Sequence, residues 1–382
     1  MKHFTGMILL LFVLAQLPLP ARATALTVAG KSALLMDVST GTVLYESNSH
    51  ERLAPASVTK VMTMLLIMEA VDSGKITLND TVTASESAAA KGGSQIYLKV
   101  GETMTVSDML KAIAVSSAND CACAMAEHLA GSEEAFVARM NERALELGMN
   151  DTQFVNCTGL DDGENAQNHR TSAHDIGLMS RQLLKYHPAI KQYTTIWMDT
   201  LRGGTFGLSN TNKLIRFYPG ATGLKTGFTS GAGYCLSATA QRDGMELIAV
   251  VMGADTAQNR NNACKQLLDY GFANYALISP ELTEAESVPV KLGVAESVDA
   301  VLGDAGGLLI EKAQKNAVTT ELYMEESVTA PVSKGQRIGT LTVKAGEQIL
   351  TELPLVASEA VQRLTLEDLF VKVLKRAAMA KT

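Results

Sequence analysis

The stretch "APASVTKVMTMLLIMEA" (residues 54–70) sets Ser57 three residues before Lys60, at the head of an almost wholly apolar run. Residues i and i+3 of a helix share a face, so the lysine amine reaches the serine hydroxyl. A serine is a weak nucleophile until a base takes its proton. A buried lysine beside another cation loses its own proton near neutral pH and can serve as that base. The plain alternative is an N-cap serine followed by a lysine whose amine snorkels to water. S-x-x-K is too common to decide between them alone.

The surrounding pattern supplies a scaffold. "SALLMDVSTGTVLYE" (residues 32–46) alternates apolar and polar around Ser39-Thr40-Gly41, a hairpin signal. The helix carrying Ser57 runs to Ser73-Gly74. "TVSDMLKAIAVSS" opens with a capping box, Thr105 to Asp108, and predicts a second helix. "DCACAMAEHLAG" predicts a third, stopped by Gly131, with the break Ser116-Ser117-Ala118-Asn119 between them. "TGLKTGFTSGAGYCLSATA" and "MELIAVVMGA" read as strands, the last two joined at Asp243-Gly244, and "RNNACKQLLDYGFANY" as a helix. Helices between an early hairpin and a late meander predict an α/β fold of the α+β type: an antiparallel sheet flanked by helices, over residues 26–278. Short alternating runs separated by Gly and Pro predict a small all-β domain over 279–358.

The last segment, 359–382, reads as an amphipathic helix, with Val361 to Thr382 helical throughout. Its capping box is Thr365 to Asp368. Leu366, Leu369, Phe370, Val373, Leu374 and Ala377 form one apolar face, and Lys372, Lys375, Arg376 and Lys381 gather on the polar side. That pattern suits a membrane surface carrying anionic headgroups.

The chain has 382 residues, 47% hydrophobic and 19% charged, enough for a large core and more than one domain. A net charge of −7 without a strong Lys/Arg cluster argues against a nucleic-acid partner. Lys2 and His3 precede an apolar run from Met7 to Leu19, and "ARATA" offers A-x-A cleavage after Ala23 or Ala25, so residues 1–25 read as a signal peptide and the mature chain as exported. The five cysteines form no C-x-x-C pair; an odd count leaves at least one thiol free, and they read mostly as small buried apolar residues. There is no H-E-x-x-H, and His169 and His174 are spaced wrongly for one helical face, so no metal and no cofactor are expected. G-x-S-x-G is absent, which removes a hydrolase elbow.

Two further motifs bear on Ser57. "SAN" (Ser117 to Asn119) lies in the break between helices, where side chains can face a cleft. "KTG" (Lys225 to Gly227) lies on a strand: Lys225 supplies the second cation, Thr226 can hold a carboxylate, and Gly227 lets a substrate backbone approach the edge. Each alone reads as a polar turn. Together, in this order on helix, loop and strand, they resemble the active-site set of penicillin-binding proteins and serine β-lactamases. "NTNKLIRFYPGATGLKTGFTSGAGYCLSATAQRDGMELIAVVMGA" (residues 210–254) and "TGLDDGENAQNHRTSAHDIGLM" (158–179) are similar to the low-molecular-mass members, the serine-type D-alanyl-D-alanine carboxypeptidases. The likeness runs over the whole mature chain.

That resemblance implies a set of roles. Ser57 attacks the carbonyl between two D-alanines of a peptidoglycan stem peptide, and Lys60 is its base. Ser117, with Lys225, passes the proton to the departing D-alanine. Asn119 orients the substrate amide. The N–H groups of Ser57 and Phe228 form the oxyanion hole. Thr226 and Arg260 bind the terminal carboxylate. β-Lactams acylate Ser57 in the same way, and the C-terminal tail holds the enzyme on the outer face of the cytoplasmic membrane. Two alternatives stand beside this. A β-lactamase needs a carboxylate for its deacylating water, and Glu164 with Asn168 has the E-x-x-x-N spacing, but such enzymes lack the extra β domain. A catalytically silent peptidoglycan-binding protein needs neither Lys60 nor a free Ser57.

Overall fold

A computed structural model describes residues 26–371, except 162, 164, 283–285, 304 and 305. Its centre is an antiparallel sheet of β1 (Ser32–Asp37), β2 (Val43–Ser47), β3 (Ala221–Thr229), β4 (Gly233–Arg242) and β5 (Met245–Ala254), in the order β2-β1-β5-β4-β3. The period-two alternation of β1 and β5 divides their side chains between two cores. Leu34, Met36, Ile248 and Val250 enter the larger core, under the helices α1 (Lys60–Asp72), α2 (Val106–Ser116), α3 (Asn119–Ala130), α4 (Glu133–Glu146) and α5 (Ala173–Tyr186). Ala33, Leu35, Leu247 and Ala249 face the other way, onto Ala263, Cys264, Leu267 and Leu268 of α6 (Ala257–Asn274). Both faces of these strands are covered, so they read as unbroken apolar runs.

α1 is buried on nearly every side, as an all-round apolar sequence demands. Ser57 is not on it. It sits on a 3-10 turn, Ala56–Thr59, that leads into α1 at Lys60. In a 3-10 turn, residues i and i+3 eclipse, which aligns Ser57 and Lys60 more closely than an α-helix does. Of the predicted capping box of α2 the N-cap bond is formed, the Asp108 N–H donating to Thr105 Oγ1 at 3.1 Å. α2 ends at Ser117 in the left-handed conformation (φ 63°), and Gly131 stops α3.

The buried carboxylate of Asp120, on the first turn of α3, accepts the N–H groups of Ile96, Leu98 and Cys121. This ties residues 92–98 over the α2–α3 junction.

The second unit begins with β6 (Tyr275–Ile278), then β7 (Ser287–Lys291), β8 (Ser297–Leu302), β9 (Leu308–Glu311), β10 (Val318–Met324), β11 (Val328–Thr329), β12 (Arg337–Ala345) and β13 (Gln348–Ala357). Six of them form a sheet in the order β10-β12-β13-β8-β7-β11 around a core of Val288, Val298, Ile338, Val343 and Leu355. β6 and β9 pair antiparallel as a separate ribbon, and Lys312 donates to the Phe272 carbonyl at 3.1 Å. The chain thus crosses between the units on a paired strand.

The end of the chain departs from expectation. Val361 is no part of a helix: it is buried in the β-domain core and bridges to Val332, and Arg363 bridges to Gly293. Helix begins at residue 366, after Thr365 and Asp368 exchange capping bonds. A buried valine that completes a β core outweighs weak helical propensity. Lys372, Val373, Leu374, Lys375, Arg376, Ala377 and Lys381 lie outside the described residues.

Asp120→Ala should cost about 3 kcal/mol of stability, since three N–H groups lose a buried charged acceptor. Urea unfolding followed by circular dichroism measures this; a loss under about 1 kcal/mol would mean that water replaces the carboxylate.

Candidate active site

The Ser57 turn, the α2–α3 break and the edge strand β3 converge on one cleft. Ser57 is half-buried and Lys60 fully so, with 0% exposure. The Lys60 Nζ donates to Ser57 Oγ at 3.0 Å and to the Thr158 carbonyl at 2.7 Å. Burial pushes the Lys60 amine down to about 7, against the opposing charges of Cys157 and Asp120. A substantial share of the amine is therefore available as a proton acceptor at neutral pH, in contact with the hydroxyl it would deprotonate.

The Thr158 carbonyl comes from a tight turn that sequence reasoning did not single out as part of the site. Asn156 organises it: its Oδ1 accepts from the Thr158 N–H, the Thr158 hydroxyl and the Gly159 N–H, and its Nδ2 donates to the Leu160 carbonyl. Gly159 has φ +83°, and a Cβ there would lie 1.8 Å from the Ala56 oxygen, so only glycine lets this turn pack on the Ser57 turn.

Ser117 and Asn119 flank the cleft. The Asn119 N–H donates to the Ser94 carbonyl and its Nδ2 to the Gly92 carbonyl. Ser117 Oγ and Asn119 Oδ1 are buried and have no hydrogen-bond partner among the described residues. A buried polar atom left unpaired in the protein is a place for a ligand to pair.

β3 is an edge strand, paired only with β4. A Cβ on Gly227 would stand 2.7 Å from the Pro55 oxygen and 3.0 Å from the Ser57 nitrogen, so the missing side chain lets the strand lie against the Ser57 turn. Lys225, 1% exposed, donates to the Thr226 carbonyl. Burial, then Lys60 and Arg260, push its amine well below the usual lysine range. The Thr226 hydroxyl donates to Thr211 Oγ1 at 2.7 Å. Phe228 is 54% exposed, with its ring 4.3 Å from that of Tyr234. Arg260, on the first turn of α6, is buried, lies 5.8 Å from the Tyr234 ring, and donates to Asn261 Oδ1. Ser57, Lys60 and Gly227 are thus brought together, Lys225 lies beside Lys60 and Arg260, the α2–α3 junction is tied to Thr226 through Thr211, whose N–H donates to the Val115 carbonyl, and Phe228 and Arg260 both lie against Tyr234. Glu164 lies outside the described residues, and its spacing partner Asn168 closes a short 3-10 turn. Among the described residues no cluster of three His, Cys, Asp or Glu is placed to hold a metal.

Comparison with known proteins agrees with this layout. A family model for D-alanyl-D-alanine carboxypeptidase matches residues 20–256, and one for the C-terminal domain of penicillin-binding protein 5 matches 280–363. D-alanyl-D-alanine carboxypeptidase DacF of Bacillus subtilis is 45% identical over 362 residues, covering 93% of this chain and 90% of that one. DacC of Escherichia coli is 34% identical over 364 residues, covering 92% and 90%. Penicillin-binding protein 5 of Haemophilus influenzae superposes with a TM-score of 0.74 at 30% identity, covering 89% of this chain and 99% of that one. Penicillin-binding protein D2 of Listeria monocytogenes, solved in its ampicillin-bound form, matches with a TM-score of 0.56 at 32% identity over 65% of this chain and 99% of that one.

His169, spaced wrongly from His174 for a metal pair, supports the Ser57 turn from behind. Its Nδ1 accepts the Val155 N–H at 3.0 Å, so its Nε2 carries the proton and donates to Thr59 Oγ1 at 2.8 Å; Thr59 in turn donates to the Ala56 carbonyl. The Val155 contact requires neutral imidazole, and burial, then Arg170 and Lys60, push its pKa to about 4. The unfolded chain therefore binds the extra proton between pH 6.5 and about 4, so stability falls as pH drops through that window. The loss should reach roughly 3 kcal/mol. Urea midpoints across that range measure it, and His169→Gln should flatten this part of the curve.

Proposed function

The chain belongs to the D-alanyl-D-alanine carboxypeptidase family, and on that premise we propose that Ser57 is the nucleophile through which it removes the terminal D-alanine of peptidoglycan stem peptides. The enzyme is a serine-type D-Ala-D-Ala carboxypeptidase. Relatives matching nine-tenths of the chain carry that name, which decides against the β-lactamase and silent-binder alternatives. The contact between Lys60 Nζ and Ser57 Oγ, 3.0 Å inside a buried site, carries the assignment of the nucleophile.

The reaction follows from the placement of the groups. Neutral Lys60 takes the Ser57 proton as Oγ attacks the carbonyl between the two D-alanines. The N–H groups of Ser57 and Phe228, brought together because Gly227 has no side chain, stabilise the oxyanion, a contribution of about 3 kcal/mol per donor. Ser117, unpaired in the protein, passes a proton to the departing D-alanine with Lys225 beside it. Asn119 offers its free Oδ1 to the substrate amide. Thr226 and Arg260 take the terminal carboxylate. The arriving carboxylate offsets the burial and the neighbouring cations that hold the Lys225 amine below its usual range, and so favours its charged form. Water then releases the acyl group, and a β-lactam acylates Ser57 by the same attack.

We further propose that residues 1–25 direct export and that the tail holds the enzyme on the membrane surface. Leu366 is 86% exposed, and Leu369 and Phe370 also face solvent, so the start of this helix leaves its apolar side uncovered by the β domain. No described helix is long and apolar enough to cross a membrane.

Ser57→Ala should abolish both penicillin labelling and release of D-alanine from a pentapeptide without unfolding the protein. Mass spectrometry placing the penicillin adduct on any other residue would refute the nucleophile. Lys60→Arg should be nearly inactive, because a guanidinium keeps its proton. In the wild type, the acylation rate should fall as pH drops through about 7, where Lys60 becomes charged; an acid limb unrelated to that value would remove Lys60 from the role of base.

Deleting the chain from Leu366 onward, past the Val361 strand contact, should free the enzyme from membranes in cell fractionation and leave activity on a small peptide intact. Retention on the membrane would end the anchor reading.

A further inference from the structure

The mechanism leaves the site's immediate rear wall unused. There, two thiols from distant parts of the chain meet on one carboxylate. Cys123, on the inner face of α3, has its sulfur 3.8 Å from one oxygen of Glu133, and Cys157 has its sulfur 3.2 Å from the other. Both are buried, so the two sulfurs meet on the two oxygens of one carboxylate inside the core. Lys91 pairs with the same carboxylate and the Cys157 N–H donates to it. Burial opposes the charge on Glu133, but these bonds hold its carboxyl below the usual range, so it remains an acceptor for a thiol proton.

Cys157 is coupled by its backbone to the catalytic base. Its carbonyl accepts the Thr63 hydroxyl of α1 at 2.7 Å, and the next carbonyl, that of Thr158, accepts Lys60. We propose that Cys123 and Cys157 are a redox-modification site, closing to a disulfide that draws the 156–159 turn toward α3 and takes the Thr158 carbonyl away from Lys60. A disulfide brings two sulfurs from non-bonded contact to about 2 Å. Cys123 lies in mid-helix on α3, which Asp120 ties down at its first turn, whereas Cys157 lies on a turn, so the turn is the part that moves.

The chemistry is thiol–disulfide exchange with a small-molecule or protein disulfide outside the cytoplasm. One cysteine thiolate attacks the reagent disulfide and releases one thiol; the second cysteine attacks the resulting mixed disulfide and releases the other. Two electrons pass from the cysteine pair to the reagent, and the two cysteine protons end on the released thiols. The folded pair is shielded, and its contact with Cys123 and its burial push the Cys157 thiol well above its usual range. Exchange therefore belongs to the period before the 156–159 turn closes over α3.

The effect on rate rests on the reading of Lys60 as base; the crosslink itself does not. The full chain, unfolded and refolded with oxidised glutathione, should yield a Cys123–Cys157 linked peptide in non-reducing mass spectrometry. Acylation by a fluorescent penicillin should then be slower by about tenfold or more, and unfolding with dithiothreitol followed by refolding should restore it. Cys123→Ala should label equally fast after either treatment. Refolded protein whose Cys123 and Cys157 both remain alkylatable overturns the site, and this mapping on the wild type does not depend on the variant folding. A linked protein that acylates at full speed overturns the coupling to Lys60. Reduced wild type that fails to label Ser57 overturns that coupling together with the reading beneath it, while the mapped crosslink still stands, so the two failures are told apart.

Discussion

An amine sealed away from water governs this site. Lys60 enters α1 at the one point where an otherwise apolar helix meets the cleft, and its two acceptors, Ser57 Oγ and the Thr158 carbonyl, come from separate turns. Neither oxygen carries a full charge, so neither compensates the desolvation of an ammonium ion. A second amine, Lys225, is buried beside it and is itself pushed well below the usual lysine range, first by burial and then by Lys60 and Arg260. The protein has thus made the neutral form of a lysine the comfortable one, and much of the nearby structure keeps it so: Asn156 shaping the turn, Gly159 with no side chain, and His169 holding Thr59 as a neutral donor.

The legible part of this arrangement is the part written within single elements. Ser57 with Lys60, Ser117 with Asn119, and Lys225 through Gly227 are each local motifs, and their spacing shows in the chain without knowledge of the fold. The antiparallel sheet flanked by helices follows from the early hairpin and the late meander, and the helix caps at Thr105 and Gly131 from residue type alone; the division into two cores is not written there, because β1 and β5 are apolar on both faces. Thr158 acts through its backbone carbonyl, which has no residue signature. His169 serves a threonine 110 residues away, and a lone histidine carries no sign of such a partner. Val361 looked like a helix start because its burial in a β core depends on a bridge to Val332 that the local pattern does not show.

The cysteines show the same limit from another side. Their odd number and lack of C-x-x-C spacing favour five inert thiols, and all five are buried and unbridged. Only folding places Cys123 and Cys157 on one carboxylate. Chemistry that depends on convergence, rather than on spacing, is invisible until the chain is closed.

The ribbon of β6 with β9 has an evolutionary consequence. Composition puts a seam at residue 278, yet the four residues before it, Tyr275–Ile278, hydrogen-bond to Leu308–Glu311 of the second unit. A recombination event that joined a new partner domain at that seam would leave "YALI" as an unpaired apolar edge, an invitation to stick to other chains. Exchange of whole domains is tolerable only if the crossover lies before Tyr275 or if the incoming domain brings its own mate for that strand. The two units are therefore expected to be inherited together more strictly than their separate sheets and cores suggest.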